Sequence, residues 1–230
     1  MEAITFDFYE TLVFHREGRG RGHVLMDFLD DQRLPHAAWE HGVLYDIFDG
    51  MHTRYSPAPS SAERADQQRE VAQRAFGRLE VPGGPDAVAR HASALWQILG
   101  PASFGVYADV PDALRPLRAE GIPLALVSNW QCGLAQFCRE LGLADYFDHI
   151  ICSAELGIVK PDPAIFVEAC ARLGVPPEHV VHVGDSLVDD YNGAENAGLG
   201  AVLIARAAGP EPDVTRWVAG LAELPRVLSR

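Results

Sequence analysis

Long apolar runs are absent from this chain. No hydrophobic stretch approaches the ~20 residues a helix needs to cross a bilayer, and the first ten residues, MEAITFDFYE, are acidic and lack the basic start of a secretion signal. A cytoplasmic protein with no membrane partner is the expectation. Positive charge is scarce as well, with 19 Lys and Arg against 32 Asp and Glu and a formal net charge of −13. Nucleic-acid binders present a basic face to phosphate, and outside HREGRGRGH there is no such patch. A nucleic-acid role is therefore excluded from the expectations. Cysteine is sparse: Cys132, Cys138, Cys152 and Cys170 show no C-x-x-C spacing. That leaves neither a zinc site nor a disulfide framework, and predicts buried free thiols.

What remains is a chain of 230 residues with 48% hydrophobic content, enough for one sizeable core or a core with a smaller insertion. From Val110 onward, short apolar runs alternate with amphipathic segments: DALRPLRAEG, IPLALVSN, CGLAQFCRELGL, HIICSAE, DPAIFVEACARLG, HVVHVGDS, YNGAENAGLG and AVLIAR. This alternation predicts successive βα units around a parallel sheet. IPLALVS, VVHVG and AVLIA are nearly continuous in apolar residues, as strands covered by helices on both faces are. AITFDFY has the same character but stands about a hundred residues upstream.

Between them, from His15 to Tyr107, the texture changes. HVLMDFLDDQRL, AAWEHGVLYDIFDGMHTRY, SSAERADQQREVAQRAFGRL and DAVARHASALWQIL space their apolar residues by three to four, which predicts helices and no convincing strand. YSPAPSS and VPGGPD punctuate them, supplying caps and first-turn prolines. The expected architecture is α/β: a Rossmann-like parallel sheet core from residues 1–14 and 108–230, with an α-helical cap inserted at 15–107. The end, AELPRVLSR, reads as a short terminal helix.

In such a sheet, ligands sit outside the carboxyl ends of the strands. Four places there carry polar groups: Asp7 with Tyr9 and Thr11, Ser128 with Asn129, Lys160 in GIVKPDPAIF, and Asp185 with Asp189 and Asp190 in VGDSLVDD. Singly, each could be a cap or a turn residue. Four in this order, each at a strand end, point to a site.

These segments resemble the four motifs of the haloacid dehalogenase superfamily: FDFYETL the first, LVSN the second, GIVKPDP the third and HVGDSLVDDYNGAENAGL the fourth. The resemblance implies a Rossmann-like core, a helical cap inserted after the first motif, and a covalent intermediate on an aspartate nucleophile, which falls at Asp7. A carboxylate nucleophile splits a difficult displacement into two easier steps. An anionic substrate beside Asp7 needs compensation. Lys160 brings a charge, Ser128 a hydroxyl, and Asn129 and the backbone amides after Asp7 further donors. A Mg2+ ion would neutralise the rest, held by hard oxygen ligands from Asp7, Asp185 and the carbonyl of Tyr9. By the resemblance Asp190, matching the second acid of the fourth motif, completes the metal site by orienting metal-bound water, with Asp189 the less favoured substitute.

Tyr9 stands where the family's phosphatases usually have a second aspartate that protonates the leaving oxygen. A phenol with a pKa near 10 is a poor general base at neutral pH. Tyrosine here resembles the 2-haloacid dehalogenase branch, in which halide leaves without a proton and no magnesium is used. The acidic fourth motif argues the other way, because Asp185, Asp189 and Asp190 near Asp7 would be costly without a cation. Tyr9 is either a packing residue or a substrate-facing hydroxyl. The expected activity is a Mg-dependent phosphatase of a small anionic metabolite. A metal-free dehalogenase and a catalytically weakened phospho-ligand-binding protein are the alternatives. In the cap, Arg16, Arg19 or Arg21 could meet an anionic substrate tail, and Arg54 would take a carboxylate or halide in the dehalogenase reading. Substrate identity and oligomeric state are not legible.

Overall fold

The computed structural model describes residues 1–16, 21–37, 61–206, 209 and 214–228. Its centre is a six-stranded sheet in the order β5-β4-β1-β6-β7-β8, parallel throughout. The strands are β1 (Ala3–Phe6), β4 (Leu124–Ser128), β5 (His149–Cys152), β6 (Val180–Gly184), β7 (Gly200–Ile204) and β8 (Trp217–Val218). β2 (Val13–His15) and β3 (Phe104–Val106) form a separate antiparallel ribbon. β1 lies between β4 and β6, so the chain leaves the centre on one side and returns on the other. That reversal opens a crevice beyond the carboxyl end of β1.

Strict alternation along each strand divides the core in two. Ile4, Phe6, Leu124, Leu126, Val181, Val183, Val202 and Ile204 bury one face, together with Val110 and Leu114 of α4 (Val110–Ala119) and Leu134 and Phe137 of α5 (Leu134–Glu140). Ala3, Val127, Val180, Ala201 and Leu203 bury the other, against Ile165, Phe166 and Ala169 of α6 (Pro163–Leu173). Burial on both faces is why the strands read as unbroken apolar runs. α6 starts at Pro163. Pro163 takes the first turn, where its missing N–H costs nothing, and the Asp162 carboxylate accepts from Ala164 N–H at 2.9 Å.

Between the ribbon strands lie α1 (Arg21–Asp31), α2 (Ser61–Arg78) and α3 (Pro85–Ile98). They pack a cluster of their own from Val24, Leu25, Phe28 and Leu29, Val71, Ala75, Phe76 and Leu79, and Leu95 and Leu99. The three-to-four spacing read from the sequence is thus satisfied by helix-on-helix burial. Pro85 opens α3 as expected of VPGGPD. The expectation of a segment without strands is corrected at its two ends, where His15 closes β2 and Phe104–Val106 forms β3. Three residues are too few to show a period-two pattern. The helical reading of AAWEHGVLYDIFDGMHTRY falls, apart from Ala37, outside the described residues. α7 (Leu224–Leu228) is the short terminal helix anticipated, whereas the two-residue β8 was not anticipated.

All four cysteines are buried and free, and loss of hydration pushes the Cys138 thiol up to about 12 and the Cys170 thiol up to about 11. Among the described residues no helix is long and apolar enough to cross a membrane.

Phe6 is fully buried on β1, one residue before Asp7, its ring edge-on to Phe147 at 6.3 Å. Phe6→Ala should destabilise the protein by about 3–5 kcal/mol, read as a shift of the urea midpoint without a change of slope.

Candidate active site

Asp7 follows directly on β1. Its backbone N–H donates to Val183 O at 2.9 Å, which fixes its height against β6. The chain then coils through one turn, with Leu12 and Val13 N–H both bonding to Phe8 O. Glu10 takes a left-handed φ of 60° there, a conformation that costs a residue with a side chain and is held by its surroundings. Tyr107 donates its hydroxyl to Glu10 Oε2 at 2.7 Å. Arg206, just beyond β7, donates to Thr11 O at 2.8 Å, lies 3.7 Å over the Tyr107 ring and pairs with both Asp109 oxygens at 3.1 Å. The turn after Asp7 is therefore fastened to the far half of the sheet.

Lys160 arrives from the loop before α6. Asn129 clamps that loop: its Nδ2 donates to Lys160 O at 2.9 Å and its Oδ1 accepts from Lys160 N–H at 2.8 Å. The Asn129 side chain thus positions Lys160 through its Oδ1 and one of its two N–H groups. The Lys160–Pro161 bond is cis. From this loop the Lys160 ammonium reaches Asp7 Oδ1 at 2.6 Å and Asp190 Oδ1 at 2.5 Å, with all three side chains less than a tenth exposed. It is the only lysine in the chain.

Asp190 comes from the π-helical turn Leu187–Asn192. A π turn inserts one residue into the helical register and is frequent at functional sites. Here Asp190 faces inward while Val188 is exposed. Besides Lys160, Asp190 Oδ1 accepts from His182 Nε2 at 3.0 Å, and its Oδ2 accepts from Ser186 N–H at 2.9 Å. Gly184 makes room for this approach, since a Cβ there would overlap the Asp190 carboxyl. The Asp189 backbone N–H donates to Ser186 Oγ at 3.0 Å. Thr11 is buried and donates weakly to Asp185 Oδ1 at 3.4 Å. Ser128 is buried at the carboxyl end of β4, level with Cys152 of β5. The Tyr9 ring is half-buried, edge-on to Phe104 at 6.1 Å and packed against the main core.

Electrostatics divide these acids. Burial works against the charge of Asp190, but Lys160 and the His182 hydrogen bond overcome it and hold the carboxyl well below the usual range. Burial raises Asp7 above its ordinary 3.8; Lys160 opposes this only in part, and the negative charge of Asp190 raises it further. Asp185 is exposed in part, yet lost hydration within the crevice and the charges of Asp7 and Asp190 push it up to about 8. Burial alone would depress the Lys160 ammonium; Asp190 and Asp7 more than reverse this and raise it above its ordinary 10.5. Asp7, Asp185 and Asp190 each offer an oxygen within 4.8 Å of the others. Three carboxylates and one ammonium leave negative charge uncompensated, and a set of hard oxygens fits a divalent cation.

Of the residues singled out in the sequence, the structure brings Asp7, Lys160, Asp185 and Asp190 together, with Thr11 and Asn129 attached to them. Arg16 is exposed at the end of β2. The expectations for Arg19, the Arg21 side chain and Arg54 fall outside the described residues. Sequence reading missed His182 and Thr5, which are joined at 2.8 Å, and the Tyr107–Asp109–Arg206 fastening. The signal available was a polar residue interrupting an apolar strand, in AITF and in VVHVG.

A carboxyl whose folded pKa lies above its unfolded value binds its proton more tightly when folded. Stability therefore falls as pH rises between the two values. For Asp185 that window runs from about 3.8 to about 8. The thermal midpoint of metal-free protein should fall across it, Asp185→Asn should flatten the fall, and a divalent cation should restore the midpoint at pH 8 in the parent chain.

Residues 1–198 match the family model described as haloacid dehalogenase-like hydrolase. The chain is 38% identical over 110 residues to haloacid dehalogenase-like hydrolase domain-containing protein 3 of Danio rerio, covering 48% of this chain and 46% of that protein. It thus spans about half the length of this curated relative. It is 31% identical over 186 residues to phosphoserine phosphatase of Thermus thermophilus, covering 78% of this chain and 72% of that one. Among solved structures, a 2-haloacid dehalogenase from Pseudomonas syringae pv. Tomato matches with a TM-score of 0.70 and 27% identity, over 100% of this chain and 99% of that one.

Proposed function

Because the chain belongs to the haloacid dehalogenase-like hydrolases, we propose that it is a magnesium-dependent phosphatase of a small phosphorylated metabolite, working through an aspartyl-phosphate on Asp7. The observation that carries this reading is the buried Asp7–Lys160–Asp190 array with Asp185 at its rim, set at the carboxyl end of the central strand. Asp7, Asp185 and the Tyr9 carbonyl would hold the cation, with Asp190 supporting it through Lys160. When bound, magnesium lets Asp7 and Asp185 both stay ionised and offsets charge on the phosphoryl oxygens. The phosphatase similarity to the Thermus thermophilus protein supports the same substrate class.

An Asp7 oxygen attacks phosphorus in line with the ester oxygen, forming the carboxylate–phosphorus bond as the ester bond breaks. Lys160 and the Ser128 hydroxyl face the charge on the transferring group. Water then attacks phosphorus, releasing inorganic phosphate and freeing Asp7. The alcohol's proton comes from water or from the substrate itself, since Tyr9 packs against Phe104 and its phenol is a weak acid at neutral pH. Residues 15–107 act as a cap that chooses the substrate, a role supported by their separate helical cluster and the ribbon that carries them.

Tyr9 favours a second reading, hydrolysis of a 2-haloacid without metal, because a departing halide needs no proton. Assays of phosphate release from a panel of phosphomonoesters, beside halide release from short 2-haloacids with and without chelator, separate the two. Chelator-sensitive phosphate release is expected, and chelator-resistant halide release overturns the proposal. Asp7→Asn should lower turnover by about 10³-fold or more without unfolding the chain, and Asp185→Ala should sharply weaken magnesium binding in calorimetry.

Tyr9→Asp should restore an acid on the turn after Asp7. General acid–base assistance is worth about 10²–10⁴ in rate. An alkyl phosphate should therefore gain measurably, and an aryl phosphate with a good leaving group should gain less. Loss of phosphate release from both would make the tyrosine part of the mechanism.

A further inference from the structure

We infer that His182 and Thr5 are positioning residues that hold Asp190, and through it Lys160, in the geometry the reaction needs. The inference rests on the proposed function, and its structural half is tested without it. Thr5 and His182 are register partners on β1 and β6 and lie on the same face of the sheet. Among their neighbours on that face are Ala3, Val127, Val180, Ala201 and Phe166. Both are essentially inaccessible, and the His182 ring is edge-on to Phe166 at 5.0 Å. A polar pair buried in an apolar layer costs stability unless its bonds are made. Here each ring nitrogen has one partner: Nδ1 lies 2.8 Å from Thr5 Oγ1, and Nε2 lies 3.0 Å from Asp190 Oδ1.

The direction of the second bond separates this role from that of a satisfied core histidine. Asp190 is ionised and can only accept, so Nε2 carries the hydrogen and Thr5 fixes the ring from behind. Asp190 Oδ1 then accepts from both Lys160 and His182, while Oδ2 accepts from Ser186 N–H. Three donors from three directions leave the carboxylate no freedom to turn. That matters because Lys160 is shared between two acids. Were Asp190 to swing away, the ammonium would settle on Asp7 alone, blunting the nucleophile and withdrawing charge from the transferring group.

The test reads Lys160 and catalysis separately. As the only lysine, it gives one ε-ammonium signal in protein labelled with 15N-lysine. His182→Leu should shift or broaden that signal and lower kcat on a phosphomonoester by roughly tenfold or more, with KM moving by less than about threefold. His182→Gln, which keeps a donor near Nε2, should recover most of both. Thr5→Val, close in shape, should move both in the same direction by less, with Thr5→Ser recovering the loss, and it serves where His182→Leu does not fold. A wild-type Lys160 signal and wild-type kcat in folded His182→Leu or Thr5→Val overturn the inference, as does 15N-histidine data showing Nε2 unprotonated. Absence of phosphate release from the parent chain overturns the proposed function instead, and the Lys160 signal still decides the positioning role.

Discussion

One ammonium shared by two buried carboxylates is the constraint around which this molecule is arranged. Lys160 sits 2.6 Å from Asp7 and 2.5 Å from Asp190, out of water, where the cost of removing any one partner rises steeply. Each charge is delivered by a different part of the chain. β1 presents Asp7, a loop clamped by Asn129 presents Lys160, and a π turn made possible by Gly184 presents Asp190. None of the three could be misplaced by much without leaving an unpaired charge in the core. The fold's precision is thus concentrated at the carboxyl end of its central strands.

The same arrangement separates the acids by task. Asp190 accepts from two donors on one oxygen and a backbone N–H on the other, which holds its carboxyl well below the usual range. Asp7 and Asp185 lie above the usual carboxylate range, through lost hydration first and the charges of neighbouring acids second. The two acids therefore divide: Asp190 is buried against the protein's own lysine, and Asp185 stands exposed at the rim of the array.

Much of this was legible in the sequence because its cause is local. β4, β6 and β7 read clearly since burial on both faces leaves few polar interruptions, and Asp7, Ser128 and Asp185 stood out because strand ends are where such sheets expose chemistry. What stayed hidden depends on register and distance. The β2–β3 ribbon and β8 are too short to carry a period. Thr5 and His182 meet only because β1 and β6 are neighbours in a particular alignment, across 177 residues. Arg206 reaches Thr11 across 195. Asn129 reads from the sequence as a donor to the substrate, and nothing in its neighbourhood shows that its amide also clamps the Lys160 backbone.

The chain's cationic side chains are 18 arginines and one lysine, and that lysine is sealed between two acids. A surface of guanidinium groups keeps its charge at any physiological pH, but it offers nothing to acylating agents, aldehydes or the enzymes that acetylate or ubiquitinate lysine. Apart from the amino terminus, the only primary amine in these 230 residues is the one buried between Asp7 and Asp190. Amine-directed chemistry therefore has few outcomes: it leaves the side chains untouched while Lys160 is buried, and modification of Lys160 reports that this burial has been lost.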